Sequence, residues 1–181
     1  MLKLGAKELR DIIPTTKEVA SIYRRDIFII IDNVLDTFNT GSMFRLADAV
    51  GCKHIYLIGN TDTPDDPKVG HKIHKSSVGT HRWVAWTHFN TITEAIEDIR
   101  KINSQTKIFA VEQNKKSIPY TKADLSEPLA LIVGHETRGV SKEGLKLADA
   151  ILEIPMHGVN KSLNVLISLA IVCYGGLTQD P

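Results

Sequence analysis

Three short clusters gather the residue types that do chemistry. They are Asn39-x-Gly41-x-x-x-Arg45, Gly134-His135-Glu136-Thr137-Arg138-Gly139, and Pro155 to Asn164, which contains Met156, His157, Lys161, Ser162 and Asn164. Familiar signatures are missing around them. No G-x-G-x-x-G follows a strand pattern and no G-x-x-x-x-G-K-[ST] occurs, so a dinucleotide loop and a phosphate loop are both absent. His135-Glu136 begins like a zinc-protease helix, but Gly139 stands where the second metal histidine belongs, and the metal reading fails. A G-x-S-x-G nucleophile elbow is also absent. Dehydrogenase, NTPase, zinc hydrolase and serine esterase chemistries therefore lose ground.

Each cluster also has a plain structural reading. Gly134 and Gly139 suit turns after a strand, and Ser162 and Asn164 are both helix N-cap types ahead of an apolar run. A cap accounts for one of that pair, and Asn164, inside the start of the run, is the harder one to explain as structure. Glu136 suits a cap or a surface pair with Arg138, and Arg45 a solvated helix charge.

The elements that must position these clusters alternate along the chain. Strand patterns cover Asp26–Asp32, His54–Ile58, Arg82–Trp86, Lys107–Val111, Leu129–Val133 and Ile151–Ile154. Several are apolar runs without two-residue alternation, as in strands covered on both faces. Helix patterns cover Asn39–Val50, with Gly51 placed to end it, then Ile92–Ile102 behind a Thr91-x-x-Glu94 capping box, Ser141–Ala148, and Ser162–Leu177. A Thr15-x-x-Glu18 box predicts a helix in the opening segment, ending near Arg24 and Arg25. Strands separated by helices imply an α/β fold with a mostly parallel sheet and helices on both faces. In such sheets ligands bind at the carboxyl ends of strands, where all three clusters fall. The pattern divides the chain into a short extension at 1–25 and one domain at 26–181.

Composition bounds the rest. With 181 residues, 22 Lys+Arg against 21 Asp+Glu and 43% hydrophobic residues, the chain reads as one soluble domain. Two cysteines, no leader pattern and no apolar run of about 20 residues place it in the cytoplasm, away from membranes. A formal charge of +1 excludes a protein that coats nucleic acid indiscriminately, but leaves room for a local basic patch.

Taken in order, Asn39-x-Gly41-x-x-x-Arg45-x-Ala47-Asp48-Ala49-x-Gly51, Gly134-x-Glu136-x-x-Gly139-Val140, and Ile154-Pro155-Met156 followed by Ser162-Leu163-Asn164-Val165 resemble the three motifs of the SpoU (TrmH-like) branch of the SPOUT RNA methyltransferases. The resemblance spans about Ile29 to Leu177. It implies transfer of a methyl group from S-adenosylmethionine to a ribose 2'-hydroxyl of tRNA or rRNA, with no metal. It further implies a homodimer and a deep C-terminal trefoil knot, where pattern alone implies an ordinary doubly wound sheet. By resemblance, Val133, Gly134, Gly139, Ile154, Met156, Ser162 and Leu163 form the cofactor pocket. Arg45, Asn39, Glu136, Ser162 and Asn164 form the catalytic set, with Ser162 and Asn164 facing the ribose, the sulfonium and the partner's first motif. Asn39 is expected to cap its helix and to position Arg45. His135 is given no catalytic role.

The most cation-rich stretch holds Lys68, His71, Lys72, His74, Lys75, His81 and Arg82 and by composition alone reads as a solvated loop; its place after the second strand and the resemblance of Lys75–Thr80 to a segment of the same family assign Lys68, Lys72, Lys75 and Arg82 to RNA. Lys17, Arg24 and Arg25 are placed on the same face. tRNA is favoured over rRNA because a bare core suits a compact substrate. The alternative is a non-catalytic RNA-binding module that keeps the fold.

Overall fold

In a computed structural model, residues 13–178 are described, together with Gly5 and Glu8. Seven strands form one parallel sheet: β1 (Arg25–Asp32), β2 (Cys52–Ile58), β3 (Trp86–Phe89), β4 (Lys107–Val111), β5 (Ile118–Pro119), β6 (Leu129–Gly134) and β7 (Ala150–Glu153), in spatial order β3-β2-β1-β6-β4-β7-β5. The α-helices within residues 13–178 are α1 (Thr16–Ala20), α2 (Thr37–Ala49), α3 (Gly70–Ser77), α4 (Ile92–Ile102), α5 (Lys142–Leu147) and α6 (Val165–Leu177).

The pleat sorts the apolar strand residues onto two faces. Ile27, Ile29 and Ile31 of β1, with Leu129, Leu131 and Val133 of β6, meet Met43, Phe44 and Ala47 of α2 and Leu169, Val172 and Cys173 of α6. Phe28, Ile30, Ala130 and Ile132 point the other way, onto Ile92, Ala95, Ile96 and Ile99 of α4. All of these β1 and β6 side chains are buried, and this two-sided cover explains why the strands read as unbroken apolar runs.

Strand order changes direction between β1 and β6, whose last pair is Asp32 and Gly134. The crevice above such a point is where this architecture binds ligands. Among the described residues, no helix is long and apolar enough to cross a membrane.

Several expectations are corrected. The third strand is Trp86–Phe89, not Arg82–Trp86, because Val78 and Gly79 both take left-handed conformations and the chain makes a 3₁₀ turn over Thr80–Arg82 first. The Thr15–Glu18 capping box forms, but α1 stops at Ala20, where the Ser21 hydroxyl donates to Glu18 O, and Arg25 already belongs to β1. The terminal helix begins at Val165 with Asn164 as its N-cap, so Ser162 lies in the preceding loop. Within the cationic stretch, Gly70–Ser77 is helical, and β5 is a two-residue strand that the sequence pattern did not mark.

Candidate active site

The α2 helix opens with Asp36, whose carboxylate accepts from the Phe38 N–H, so Asp36 rather than Asn39 is the cap. Asn39 sits in the first turn and is only 8% exposed. Its amide joins the three clusters. Asn39 Nδ2 donates to Glu136 Oε1 at 3.1 Å, and Asn39 Oδ1 accepts from Asn164 Nδ2 at 3.2 Å. Asn164 Oδ1 in turn accepts from the N–H groups of Leu166 and Ile167 at 2.9 and 3.4 Å. Asn164 is thus both helix cap and active-site bridge, and its partner is Asn39 of its own chain.

Glu136 also accepts from the N–H groups of Leu35 and Asp36 at 3.3 and 3.1 Å. Burial disfavours its charge, but hydrogen bonds from its own backbone, the Asn39 amide and the Asp36 and Leu35 N–H groups outweigh that and hold the carboxyl below its ordinary value. The carboxylate therefore ties the second cluster to the N-terminus of α2, where a negative charge is favoured. It is committed to α2, not to Arg138.

The Glu136 loop is pinched shut at its base. His135 and Gly139 exchange N–H···O bonds of 3.1 and 2.8 Å. Gly139 holds a φ of +68°, and a Cβ on Gly134 would lie 2.3 Å from the Gly139 backbone. Gly134 is needed so that the loop can close on the end of β6, a tighter demand than a turn alone.

Below this loop lies a cleft of about 520 Å³. Val133, Gly134, Gly139, Ile154, Met156, Ser162 and Leu163 all line it, as does Glu136. Arg45 stands elsewhere: exposed on α2, without a hydrogen bond or ion pair among the described residues. Two further acids carry no motif in the sequence. Asp32, 1% exposed at the end of β1, accepts from the Ser141 N–H at 2.7 Å and the Asn33 amide at 2.7 Å. Glu112, directly after β4, lines the cleft and accepts from the Val140 N–H at 2.9 Å. Each is an acid directly ending an apolar strand run, and that is the signal that marks them.

The assigned cations Lys68, Lys72, Lys75 and Arg82 are exposed on and around α3. That helix crosses α2 closely at Gly41, where a Cβ would lie 2.7 Å from Ile73 O, and Arg45 follows one turn later on α2. His81 does not add to the charge. It stacks on His74 with centroids 4.2 Å apart, and burial, reinforced by the neighbouring His74 and Arg82, pushes its imidazole down to about 4. Arg24 contacts Asp48 at 3.5 Å and Arg25 pairs with Glu127, so both are engaged in the fold rather than free on the α3 face.

Comparison with known proteins agrees with this geometry. The family model described as the SpoU rRNA methylase family matches residues 26–174. The chain is 29% identical over 163 residues to the tRNA (guanosine(18)-2'-O)-methyltransferase of Aquifex aeolicus, covering 90% of this chain and 74% of that protein. The crystal structure of the A. aeolicus TrmH/SpoU tRNA-modifying enzyme superposes with a TM-score of 0.75 at 28% identity, over 96% of this chain and 81% of that one. An AdoMet-bound rRNA methyltransferase from Sinorhizobium meliloti also superposes at 0.75, with 26% identity, over 94% of this chain and 60% of that one. A parallel sheet with its cleft at the carboxyl ends of β4, β6 and β7, three motifs joined through one asparagine, and this match along most of the sequence converge: the chain belongs to the SpoU rRNA methylase family.

Proposed function

We propose that the protein is an S-adenosylmethionine-dependent methyltransferase acting on a ribose 2'-hydroxyl of RNA, with tRNA as the leading substrate and rRNA the next. The observation that carries this reading is the Glu136–Asn39–Asn164 chain beside a nucleoside-sized cleft. The lining fits the cofactor: apolar walls at Val133, Ile154, Met156 and Leu163 suit an adenine, and a few carboxylates and backbone groups suit its polar ends.

When bound, S-adenosylmethionine supplies a methyl group on a sulfonium, so the protein's task is alignment and proton removal. Glu136 fixes the Asn39 amide, and Asn39 fixes Asn164. Asn164 Nδ2 spends one hydrogen on Asn39 and keeps the other for the acceptor ribose, with Ser162 beside it. Arg45, exposed, unpaired and away from the cleft of its own chain, reaches across the dimer interface and holds the phosphate next to the ribose bound by the other copy. Its positive charge favours the 2'-oxyanion as the hydroxyl proton passes to water and the methyl group leaves the sulfonium for that oxygen. Lys68, Lys72, Lys75 and Arg82 extend this contact along the RNA backbone.

The same reading has residues 26–181 as the methyltransferase domain behind an extension at 1–25. It includes a homodimer, a reading supported by α6, which is apolar on all sides yet leaves Ile167 and Tyr174 each 48% exposed. It also includes a trefoil knot. Gly175 and Gly176 of α6 pack against Tyr120 and Leu125 in the segment between β4 and β6, a packing that supports this reading.

The test is transfer of labelled methyl groups to tRNA and rRNA transcripts, with mapping of the modified ribose. Label in a ribose 2'-position, lost in Arg45→Ala, is expected. Cofactor or RNA binding without any transfer, unchanged by Arg45→Ala, would instead mark a non-catalytic RNA-binding module.

A further inference from the structure

Glu112 is not explained by the roles above. Three carboxylates line the cleft among the described residues: Glu112, Glu136 and Glu153. Glu136 is committed to α2 and Asn39, and Glu153 accepts the Ser117 hydroxyl at 2.6 Å. Glu112 has only backbone partners, the Val140 N–H on Oε2 at 2.9 Å and the Gln113 N–H on Oε1 at 2.8 Å. A carboxylate oxygen accepts two hydrogen bonds, so each of its oxygens keeps one site free.

Its placement is rigid. The Glu112 N–H donates to Leu152 O at 3.0 Å, which carries the β4–β7 pairing one residue past the strand. The side chain then reaches Gly139, where an added Cβ would lie 1.8 Å from Oε2. Its neighbours along the cleft are Val111, Leu152 and Ile154, apolar surface of the kind that takes the nucleoside half of a ligand. An α-ammonium is strongly hydrated and belongs nearer open water; a vicinal diol offers two neutral O–H donors to two free acceptor sites.

We infer that Glu112 is a cofactor-binding residue that accepts both ribose hydroxyls of S-adenosylmethionine, while its bond to Val140 holds the Gly134–Gly139 loop closed over the same nucleoside. This rests on the methyltransferase reading above. Glu112→Gln separates the two duties, because the amide oxygen still accepts from Val140 while the amide nitrogen no longer accepts from a hydroxyl.

Calorimetric titration of the wild type and Glu112→Gln with S-adenosylhomocysteine, its 2',3'-dideoxy analogue and its deaminated analogue tests the assignment. Removing the diol should weaken wild-type binding by about tenfold to a hundredfold, in the range of hydrogen bonds to a charged group. Glu112→Gln should weaken binding of the parent ligand and lose about half of the diol's contribution, because its amide oxygen keeps one free acceptor site while the amide nitrogen has none. Equal losses by the variant for all three ligands would reduce Glu112 to a loop pin, and coupling to the amino group instead of the diol would also overturn the assignment. If the variant unfolds, as read from its unliganded thermal transition, Glu112→Asp replaces it, and the shorter carboxylate should lose most of the diol's contribution. Wild-type protein that binds none of the three ligands would defeat the methyltransferase reading itself. Tight wild-type binding insensitive to the diol defeats only this inference.

Discussion

Asn39 and Arg45 stand six residues apart on one helix and answer to opposite physical demands. Asn39 is buried and its amide direction is set by its neighbours, a carboxylate on one side and an amide donor on the other. Arg45 is exposed and unpaired, so removing it disturbs nothing in the fold. Arg45→Ala should leave the thermal midpoint unchanged, as surface substitutions away from special features cost within about 0.5 kcal/mol. Methyl transfer should nevertheless fall by about a hundredfold or more, the usual loss when a charge-stabilising donor is removed. Glu136 should behave differently. Glu136→Gln exposes the Leu35, Asp36 and Asn39 donors to an amide and should cost about 1–3 kcal/mol as well as activity. The pH sign follows from its lowered pKa. The stabilisation is complete above the ordinary glutamate range and is lost as pH falls through the lowered folded value. Denaturant melts should therefore show the gap between wild type and Glu136→Gln closing on acidification.

The elements were largely legible because two-sided burial imprints itself on sequence. DIFIIID, KIFAV and LALIV have no polar face, and each is a strand at the centre of the sheet. What was not legible is set by local backbone geometry. The chain after α3 turns through left-handed Val78, a conformation β-branched residues avoid, so the RWVAW pattern predicts a strand three to four residues early. The apolar pattern begins before Asn164 and so sets it too deep for a cap, whereas the helix starts one residue after it. At the site, residue types and order located the clusters, but not the hydrogen bond that makes Asn39 their common partner. Gly134 shows the same limit: a turn glycine by pattern, it is a close-approach glycine in space. Gly134→Ala should drive the Gly139 backbone away, cost about 1–3 kcal/mol as overpacking does, and weaken S-adenosylhomocysteine binding more than RNA binding, read by calorimetry and filter retention on the same preparation.

For the molecule as a whole, a formal charge of +1 and an apolar helix with an open side pose one question, namely how a near-neutral chain holds RNA. A single copy offers one row of free cations along α3. Two copies joined through α6 double that row and, in the same step, cover Ile167 and Tyr174, which otherwise remain half in water on a helix with no charged residue. Hydrophobic cover and phosphate contact therefore favour the same assembly, with each contributing only a few contacts. Ile167→Asp tests that linkage. The position is exposed in the single chain, so the substituted carboxylate stays hydrated and the isolated fold should keep its circular dichroism. Buried against a second copy, the same carboxylate would be unpaired and desolvated, at a cost large enough to separate the pair. Sedimentation should show a dimer for the wild type and a monomer for Ile167→Asp, with RNA affinity and methyl transfer falling together. A wild type that sediments as a monomer while methylating RNA at full rate would show that α6 meets some other surface.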